Sequence, residues 1–495
     1  MCLLPACHLK TEEGRIPSFN FTTNVKHQVL QQTNMQAEVD DLVKVELLPA
    51  HNYALSGVLN KVDVLVKLRT GPLPTSEASK PRMPLNLAIV LDRSGSMQGS
   101  KLDNAMAAIT GLIESLREDD VLHLVCYDSQ ADTIFENASI SQRDALMTKV
   151  NSIQAGSYTN LWAGLERGAE LLVRHAKAGY CPRVFLFSDG LVNEGVQDKS
   201  LILNKVANEL YGPHGIQVST FGLGSDFDEE LMTAIAERGG HGAFFFIEGA
   251  NAIPNFVSFA LNFMQNVVAM EAVLRVQGVH SGLVRKVYGQ KDQGQALTGG
   301  VRLGDLRADN VRSLVLEMEV SPKGRRKEGE SGDEKQDEEV LHCQLIFKME
   351  DPITGEPVER SIVQTMKIGF TDEHERVENS KNVEVHAQTV IQQTAEIDKQ
   401  LHHLMGAGGA SLSHKERRDQ CIALYERAME LLEGIVEVDN AQLGGQLGVE
   451  SLLKRTRSAV EELRRSGVTR TSKLRAYSSD YSKSRGDRSY SSMNF

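Results

Sequence analysis

The sequence predicts an α/β domain with a doubly wound, mostly parallel sheet, inserted in a β-sandwich and followed by a helical C-terminal region. Between residues 85 and 265, short apolar runs alternate with segments of helical period, which is typical of a parallel sheet covered by helices. On both sides of this region, apolar and polar residues alternate with period two, which is typical of strands. Beyond residue 380 the helical period returns without intervening strands.

The strand-like segments on either side of the α/β region are expected to form one sandwich. Residues 39–70 contain two alternating runs, and residues 267–370 contain four. Because two strands cannot bury a face alone, we expect these two segments to pair across the insertion. Residues 71–84 are rich in Pro and Ser and read as a linker, and the charge-dense residues 323–339 read as a loop.

Within the α/β domain, predicted at residues 85–265, strands and helices follow one another regularly. Strands are predicted at 85–92, 121–127, 183–189, 216–224 and 243–248. Helices are predicted at 101–116, 141–152, 161–177, 198–210, 228–238 and 253–264. Ser100 and Asp103 have the spacing of a capping box at the start of the first helix, with Asp in place of the usual Glu.

The C-terminal region, residues 381–466, shows three amphipathic helical patterns, at 383–405, 415–436 and 447–465. Ser413 and Glu416 form a capping-box pattern before the second of them. The polar, Gln- and Asn-rich residues 1–38 are expected to be loosely ordered. Residues 467–495, rich in Ser, Tyr and Arg, are expected to form a disordered basic tail.

The charge and cysteine content of the sequence indicate which class of partner and which cellular compartment to expect. The 66 acidic and 54 basic residues give a net charge of −12, which argues against nucleic acid as a partner and favours cations and basic surfaces. No run of about 18 apolar residues occurs, so no membrane span is expected. The six cysteines are sparse, and the N-terminus lacks the pattern of a signal peptide. We therefore expect a cytoplasmic protein without disulfides.

Three polar clusters lie where predicted strands end or helices begin. Asp92, Ser94 and Ser96 alternate after the first strand of the domain, so in an extended segment their side chains point the same way. Thr159 opens a helix, and Asp189 ends a strand. Ligands of open α/β sheets bind outside the carboxyl ends of the strands. An all-oxygen donor set suits Mg²⁺ or Mn²⁺ better than Zn²⁺.

These clusters resemble the von Willebrand factor type A domain, whose metal-ion-dependent adhesion site has the pattern DxSxS, then a Thr, then an Asp. The segments GSYTNLWAGLERG and SDGLVNEG are similar to the family, although one extra residue precedes the Thr. The longer segment GLGSDFDEELMTAIAERGGHGAFFFIE looks like the bacterial, plant and protist branch, which has a flanking β-domain and C-terminal helices.

The resemblance implies a non-catalytic module that binds Mg²⁺, or Mn²⁺ or Ca²⁺, and takes a carboxylate from a protein partner into the metal shell. The implied metal ligands are Asp92, Ser94, Ser96, Thr159 and Asp189. The expected partner-binding surface around them comprises Arg93, Tyr158, Asn160 and Gly190. Arg93 should point to the opposite face from Asp92 and pair with a surface carboxylate.

The same residues also allow simpler interpretations. Asp92 could cap the following helix, Ser94 and Ser96 could be turn residues, and Thr159 could be a helix cap. A metal-dependent or ubiquitin-ligase-related enzyme is a second class, but the clusters hold no His or Cys and the chain has no RING pattern. An extracellular adhesin or channel subunit is a third, which would require a secretory signal.

Overall fold

The computed structural model describes residues 42–72, 84–177, 180–224, 226–247, 249–264, 267–290, 292–321, 337–350, 357–405, 409, 411–469, 472, 476 and 483. The N-terminal residues 1–38 lie outside this range, as do most of the predicted linker, the charge-dense loop and the C-terminal tail. The predictions made for those segments therefore stay predictions.

The strands are β1 (Val43–Pro49), β2 (Tyr53–Leu55), β3 (Asn60–Thr70), β4 (Leu85–Asp92), β5 (Val121–Tyr127), β6 (Ala131–Ser139), β7 (Cys181–Ser188), β8 (Gln217–Leu223), β9 (Phe244–Ile247), β10 (Val267–Gly278), β11 (Gly282–Val287), β12 (Val301–Arg307), β13 (Val311–Val320), β14 (Glu338–Glu350) and β15 (Pro357–Thr371). The α-helices of six residues or more are α1 (Ser100–Ser115), α2 (Arg143–Asn151), α3 (Leu161–Arg174), α4 (Lys199–Lys205), α5 (Glu229–Arg238), α6 (Ile253–Met264), α7 (Gln293–Thr298), α8 (His374–Asn379), α9 (Val383–Met405), α10 (His414–Gln442) and α11 (Val449–Ser466).

The α/β unit is built on a six-stranded sheet with the order β6-β5-β4-β7-β8-β9. All neighbouring strands are parallel except β6, which pairs antiparallel with β5 at the edge. Every residue of the central strand β4 is buried, because helices cover both faces of the sheet. This arrangement confirms the predicted doubly wound α/β fold.

The strands on either side of the α/β unit pair with each other, as the sequence predicts. β3 runs antiparallel to β13, from Asn60 opposite Val320 to Arg69 opposite Val311. The two sheets of the sandwich have the orders β1-β3-β13-β11 and β12-β10-β14-β15-β2. Side chains of both sheets, among them Val64 and Phe347, share one apolar core.

The sandwich contacts the α/β unit at the amino ends of the parallel strands. Arg183, near the start of β7, forms a buried ion pair of 2.7 Å with Asp305 on β12. Gln217, the first residue of β8, also donates to Asp305. The carboxyl ends of the same strands, where the polar clusters were predicted, lie at the opposite edge of the sheet.

Helix α9 connects the sandwich to the α/β unit. Glu384 at its start pairs with the buried Lys67 of β3, and His402 near its end lies 3.3 Å from Glu229 at the start of α5. Helices α9, α10 and α11 share apolar cores of their own. None of the helices described is long and apolar enough to cross a membrane.

Six residues of the predicted tail are described, at positions 467–469, 472, 476 and 483, and three of them are buried. Ala476 belongs to an apolar core of the C-terminal helices. Lys483 Nζ lies 2.6 Å from the buried Asp398 Oδ2 on α9. Ser472 is also buried. Apolar packing therefore holds Ala476 and an ion pair holds Lys483, while the prediction for the tail as a whole stays a prediction.

Candidate metal centre

Three loops meet at the carboxyl edge of the six-stranded sheet. The amide of Gly95, in the turn after β4, donates to the carbonyl of Ser157 at 2.8 Å. The amide of Asn193, in the loop after β7, donates to the carbonyl of Thr159 at 3.2 Å. These two bonds tie the loops that carry all three predicted polar clusters, so the clusters lie together, as the fold rule for open sheets predicts.

Asp92 is fully buried at the end of β4, and both of its carboxylate oxygens accept hydrogen bonds. Its Oδ1 accepts from the Ser94 amide at 2.9 Å. Its Oδ2 accepts from Ser188 Oγ at 2.7 Å and from the Tyr127 hydroxyl at 3.3 Å. Burial raises the pKa of Asp92 to about 6, against the hydrogen bonds from Ser94 and Ser188, and the charge of Asp189 adds to the rise. These hydrogen bonds fix the direction of the carboxylate, and no ion pair joins it to a cation among the residues that the structure describes.

The two serines of the first cluster lie side by side. Ser94 Oγ and Ser96 Oγ are 3.1 Å apart, with Ser94 buried and Ser96 exposed. The turn Gly95–Met97 between strand and helix brings them together. Helix α1 begins after Gly99, and no side chain caps the start of this helix. Asp92 therefore does not cap α1, and the capping box predicted at Ser100 is not formed.

Thr159 is buried directly before α3, and its role is not that of a helix cap. The cap is Asn160, whose Oδ1 accepts from the Ala163 amide at 3.2 Å. The Thr159 amide donates to Asn193 Oδ1 at 2.7 Å. The backbone of Thr159 is thus fixed by the loop after β7.

Asp189 is the second fully buried carboxylate of the site. Its Oδ2 lies 3.0 Å from Lys101 Nζ, and its Oδ1 accepts from the Leu191 amide at 3.3 Å. Lys101 also contacts Asp226 Oδ1 at 2.6 Å. Asp189 therefore differs from Asp92, because a cation from the chain itself already touches one of its oxygens.

The four residues predicted as a partner-binding surface have different surroundings. Tyr158 is 59% exposed beside the site. Arg93 pairs with Asp128 at 3.1 Å and with Asp132, in keeping with the prediction that it meets surface carboxylates. Asn160 caps α3, and Gly190 is buried with φ +68°, a conformation that favours glycine. Of the four, Tyr158 is the most exposed residue.

Three residues that contact the predicted donors were not predicted. Lys101, Tyr127 and Ser188 touch the carboxylates of Asp189 or Asp92. Ser188 directly precedes Asp189, and its position at the end of a predicted strand could have indicated that it lies at the site. Lys101 and Tyr127 gave no such signal, because their contacts depend on tertiary packing.

The chemistry of the donor set fits a hard divalent cation. The described residues contain no cluster of three or more His, Cys, Asp or Glu side chains that could hold a metal ion. The site instead combines two carboxylates with hydroxyl groups. Such an all-oxygen set with few charges suits Mg²⁺, which keeps several of its waters, better than Zn²⁺.

Comparisons with known proteins identify the fold. Residues 86–259 match the family model of the von Willebrand factor type A domain. An uncharacterized protein of Synechocystis is 30% identical over 247 residues, 48% of this chain and 57% of that protein. The uncharacterized protein YfbK of Escherichia coli is 28% identical over 238 residues, 48% of this chain and 39% of that protein. The chain thus matches about half the length of these relatives or less.

A solved structure shares the fold of this chain over most of the length of both proteins. A von Willebrand factor type A protein from Catenulispora acidiphila aligns with a TM-score of 0.60 and 17% identity, covering 84% of this chain and 90% of that one. The likeness therefore includes the elements that flank the α/β unit. The likeness to this structure shows the fold, and the match to the family model shows that residues 86–259 of the chain are a von Willebrand factor type A domain.

Proposed function

We propose that this protein is a non-catalytic, divalent-cation-dependent protein-binding module. The five residues proposed to hold the ion are Asp92, Ser94, Ser96, Thr159 and Asp189. Mg²⁺ is the preferred ion, with Mn²⁺ or Ca²⁺ as substitutes, in a metal-ion-dependent adhesion site. When bound, the ion supplies a positive charge with an exchangeable ligand position, which a carboxylate of a protein partner can fill.

The observation that carries this proposal is the pair of buried carboxylates beside two adjacent hydroxyls at the open edge of the sheet. Asp92 and Asp189 are both fully buried, and their mutual repulsion contributes to the raised pKa of Asp92. Buried carboxylates require a compensating cation or proton. The exposed Ser96 marks the side from which an ion and a partner can reach the site.

The surroundings of the site support binding rather than catalysis. Tyr158 and Leu191 are exposed large side chains on the loops around it, and they offer apolar contact area to a protein. Cys126, near the carboxyl end of β5, is buried, and burial raises the pKa of its thiol to about 12, so it is a poor nucleophile.

We further propose a cytoplasmic location and the domain division given by the sequence: a sandwich of residues 39–70 and 267–370, the inserted domain 85–265 and a helical region 381–466. The cysteines described, at positions 126, 181, 343 and 421, form no disulfide. Their usage supports a reducing compartment.

Calorimetric titration with Mg²⁺ tests the metal site. Asp92→Asn and Asp189→Asn should each abolish or strongly weaken Mg²⁺ binding, because each removes a negative charge that faces the ion. Asp103→Asn is the matched control, since Asp103 lies exposed in the first turn of α1. Wild-type binding that persists in both site variants would contradict the proposed ligands.

Affinity capture tests the binding function. Bait protein should retain its protein partner in Mg²⁺ and lose it in EDTA, and Asp92→Asn should behave in Mg²⁺ as the wild type does in EDTA. Partner capture that is unaffected by both the chelator and the substitution would overturn the proposed role of the ion.

A further inference from the structure

Lys101 is a positively charged side chain in direct contact with one of the donor carboxylates. It is the second residue of α1, and its Nζ lies 3.0 Å from Asp189 Oδ2 and 2.6 Å from Asp226 Oδ1. Its side chain is 15% exposed, whereas that of Asp226 is 59% exposed. Lys101 thus connects a buried carboxylate of the site to one at the protein surface.

The position of Lys101 is unfavourable for a lysine unless the two carboxylates compensate it. The start of a helix carries partial positive charge, which repels a cation in the first turn. The loop after β8 also leaves room for this side chain. A Cβ at Gly224, which has φ +75°, would lie 2.4 Å from Lys101 Cε. The local backbone therefore accommodates the lysine at a place where a larger residue would collide with it.

The charges of the site have a direct consequence for an ion. Asp92 and Asp189 carry two negative charges, which alone would neutralise a divalent cation. Lys101 offsets one of these charges, so a divalent ion together with Asp92, Asp189 and Lys101 carries a net positive charge, while the charge of Asp226, whose side chain is 59% exposed, is weakened by solvent. A lysine at this place weakens the attraction for the metal and strengthens the attraction for an anionic group of a partner.

We propose that Lys101 is a positioning and specificity-determining residue of this centre. It holds Asp189 Oδ2 away from the ion, keeps the buried carboxylate compensated in the metal-free protein, and leaves the occupied centre positive so that it selects a partner carboxylate. This inference rests on the proposed function, because it assumes that Asp92 and Asp189 face a divalent cation.

The test uses Lys101→Met, which keeps the length of the side chain and removes its charge. We expect Lys101→Met to bind Mg²⁺ about tenfold more tightly in calorimetry, as loss of a nearby repelling charge requires. In EDTA its thermal midpoint should fall below that of the wild type, and Mg²⁺ should restore it. Lys101→Arg, which keeps the charge, should bind Mg²⁺ with an affinity close to that of the wild type.

Lys199→Met is the matched control for loss of a nearby charge. Lys199 pairs with Asp228 at 2.5 Å and is 53% exposed, so it lies near the same loops without touching Asp189. Its substitution should change Mg²⁺ affinity less than twofold. An equal gain of affinity in Lys199→Met and Lys101→Met would overturn the specific role of Lys101.

A second variant tests the proposal without removing the lysine. Asp226→Asn removes the exposed partner of Lys101, so the lysine charge acts more fully on Asp189, and Mg²⁺ affinity should fall. In the Lys101→Met background the same change should have little effect, because the two residues act as one unit.

The outcomes separate this inference from the proposed function. Absence of Mg²⁺ binding by the folded wild type would contradict the proposed function. Wild-type Mg²⁺ binding together with unchanged or weaker binding by Lys101→Met would overturn the role of Lys101 alone. An Asp226→Asn effect of equal size in both backgrounds would also overturn it.

Discussion

His123 is a buried imidazole whose hydrogen bonds specify a neutral ring. The amide of Asn137 donates to His123 Nδ1 at 3.1 Å, so this nitrogen carries no proton. Nε2 lies 2.9 Å from Asn86 Oδ1, and the Asn86 amide group donates to two backbone carbonyls, which fixes Oδ1 as the acceptor. Burial lowers the pKa of His123 to about 4, with a smaller contribution from His175.

This lowered pKa predicts a loss of stability in mild acid. The unfolded chain binds a proton at His123 near pH 6.5, whereas the folded chain does not bind it until about pH 4. The stabilisation is therefore complete above pH 6.5 and is lost as the pH falls toward 4. Between pH 7 and pH 4.5 the free energy of unfolding should decrease by about 2 kcal/mol through this residue.

Urea denaturation at the two pH values measures the effect. His123→Gln should show a decrease between pH 7 and pH 4.5 that is smaller than that of the wild type. His403→Gln serves as the control, because His403 is exposed on α9. A wild-type decrease that His123→Gln leaves unchanged would show that other groups cause the pH dependence.

At the scale of single residues, the sequence predicts the oxygen donors of the candidate metal centre. It does not predict which other side chains contact those donors. Alternation in an extended segment was enough to select Asp92, Ser94 and Ser96, because local geometry aligns them. Lys101 lies only a few residues further on, yet its contact with Asp189 depends on where β7 ends relative to α1. No local pattern encodes that distance.

At the scale of elements, buried strands and long helices were predicted best. α6 and α9 have the predicted bounds, and β5 does too. The edge strand β6 was not predicted, because its exposed and polar residues, ADTIFENAS, show neither an apolar run nor a clean alternation. The strands β2, β11 and β12 are short and were missed for a similar reason. Within the helix predicted at 198–210, the α-helix α4 ends at Lys205. A π-helix, Val206–Tyr211, follows it directly.

Helix α3 packs closely on the sheet through glycine. A Cβ at Gly164 would lie 2.4 Å from Tyr127 Cδ1 and 3.0 Å from Val90 Cγ1. The Tyr127 hydroxyl donates to Asp92, so the same contact supports the candidate metal centre. Gly164→Ala should lower the free energy of unfolding by about 2 kcal/mol, because overpacking outweighs the better helix propensity of Ala.

A second glycine provides the control for this prediction. A Cβ at Gly434 in α10 meets no atom within 4 Å, so Gly434→Ala should raise the free energy of unfolding by up to about 1 kcal/mol. Chemical denaturation of both variants compares them directly. Stabilisation by Gly164→Ala would contradict the close packing of α3 on Tyr127.

At the scale of the whole molecule, the sandwich and the candidate metal centre occupy opposite ends of the parallel strands. The order of segments could be predicted from the sequence, because two strands need partners and the later strands supply them. The docking of the sandwich could not, because it depends on single contacts such as that of Arg183 with Asp305. The described strands of the sandwich therefore leave the edge that carries the candidate site uncovered.

The ion pair between Arg183 and Asp305 should be a main determinant of this docking. Both side chains are largely buried, and Asp305 also accepts from Gln217 and from the Glu271 amide. Asp305→Ala leaves the Arg183 charge buried without this partner, so the free energy of unfolding should fall by about 3 kcal/mol. Glu319→Ala, which breaks the more exposed pair with Arg285, should cost less than about 1 kcal/mol.

The same variants separate docking of the sandwich from function at the metal centre. Because Asp305 lies at the amino edge of the sheet, Asp305→Ala should leave the Mg²⁺ affinity of the folded protein within about twofold of the wild type, since charges this far apart are largely screened. Denaturation followed by circular dichroism measures the stability, and calorimetry on the same samples measures the affinity. Equal destabilisation by Asp305→Ala and Glu319→Ala would show that the buried pair does not fix the interface. A large loss of Mg²⁺ affinity in Asp305→Ala would show instead that the sandwich and the metal centre are coupled through the sheet.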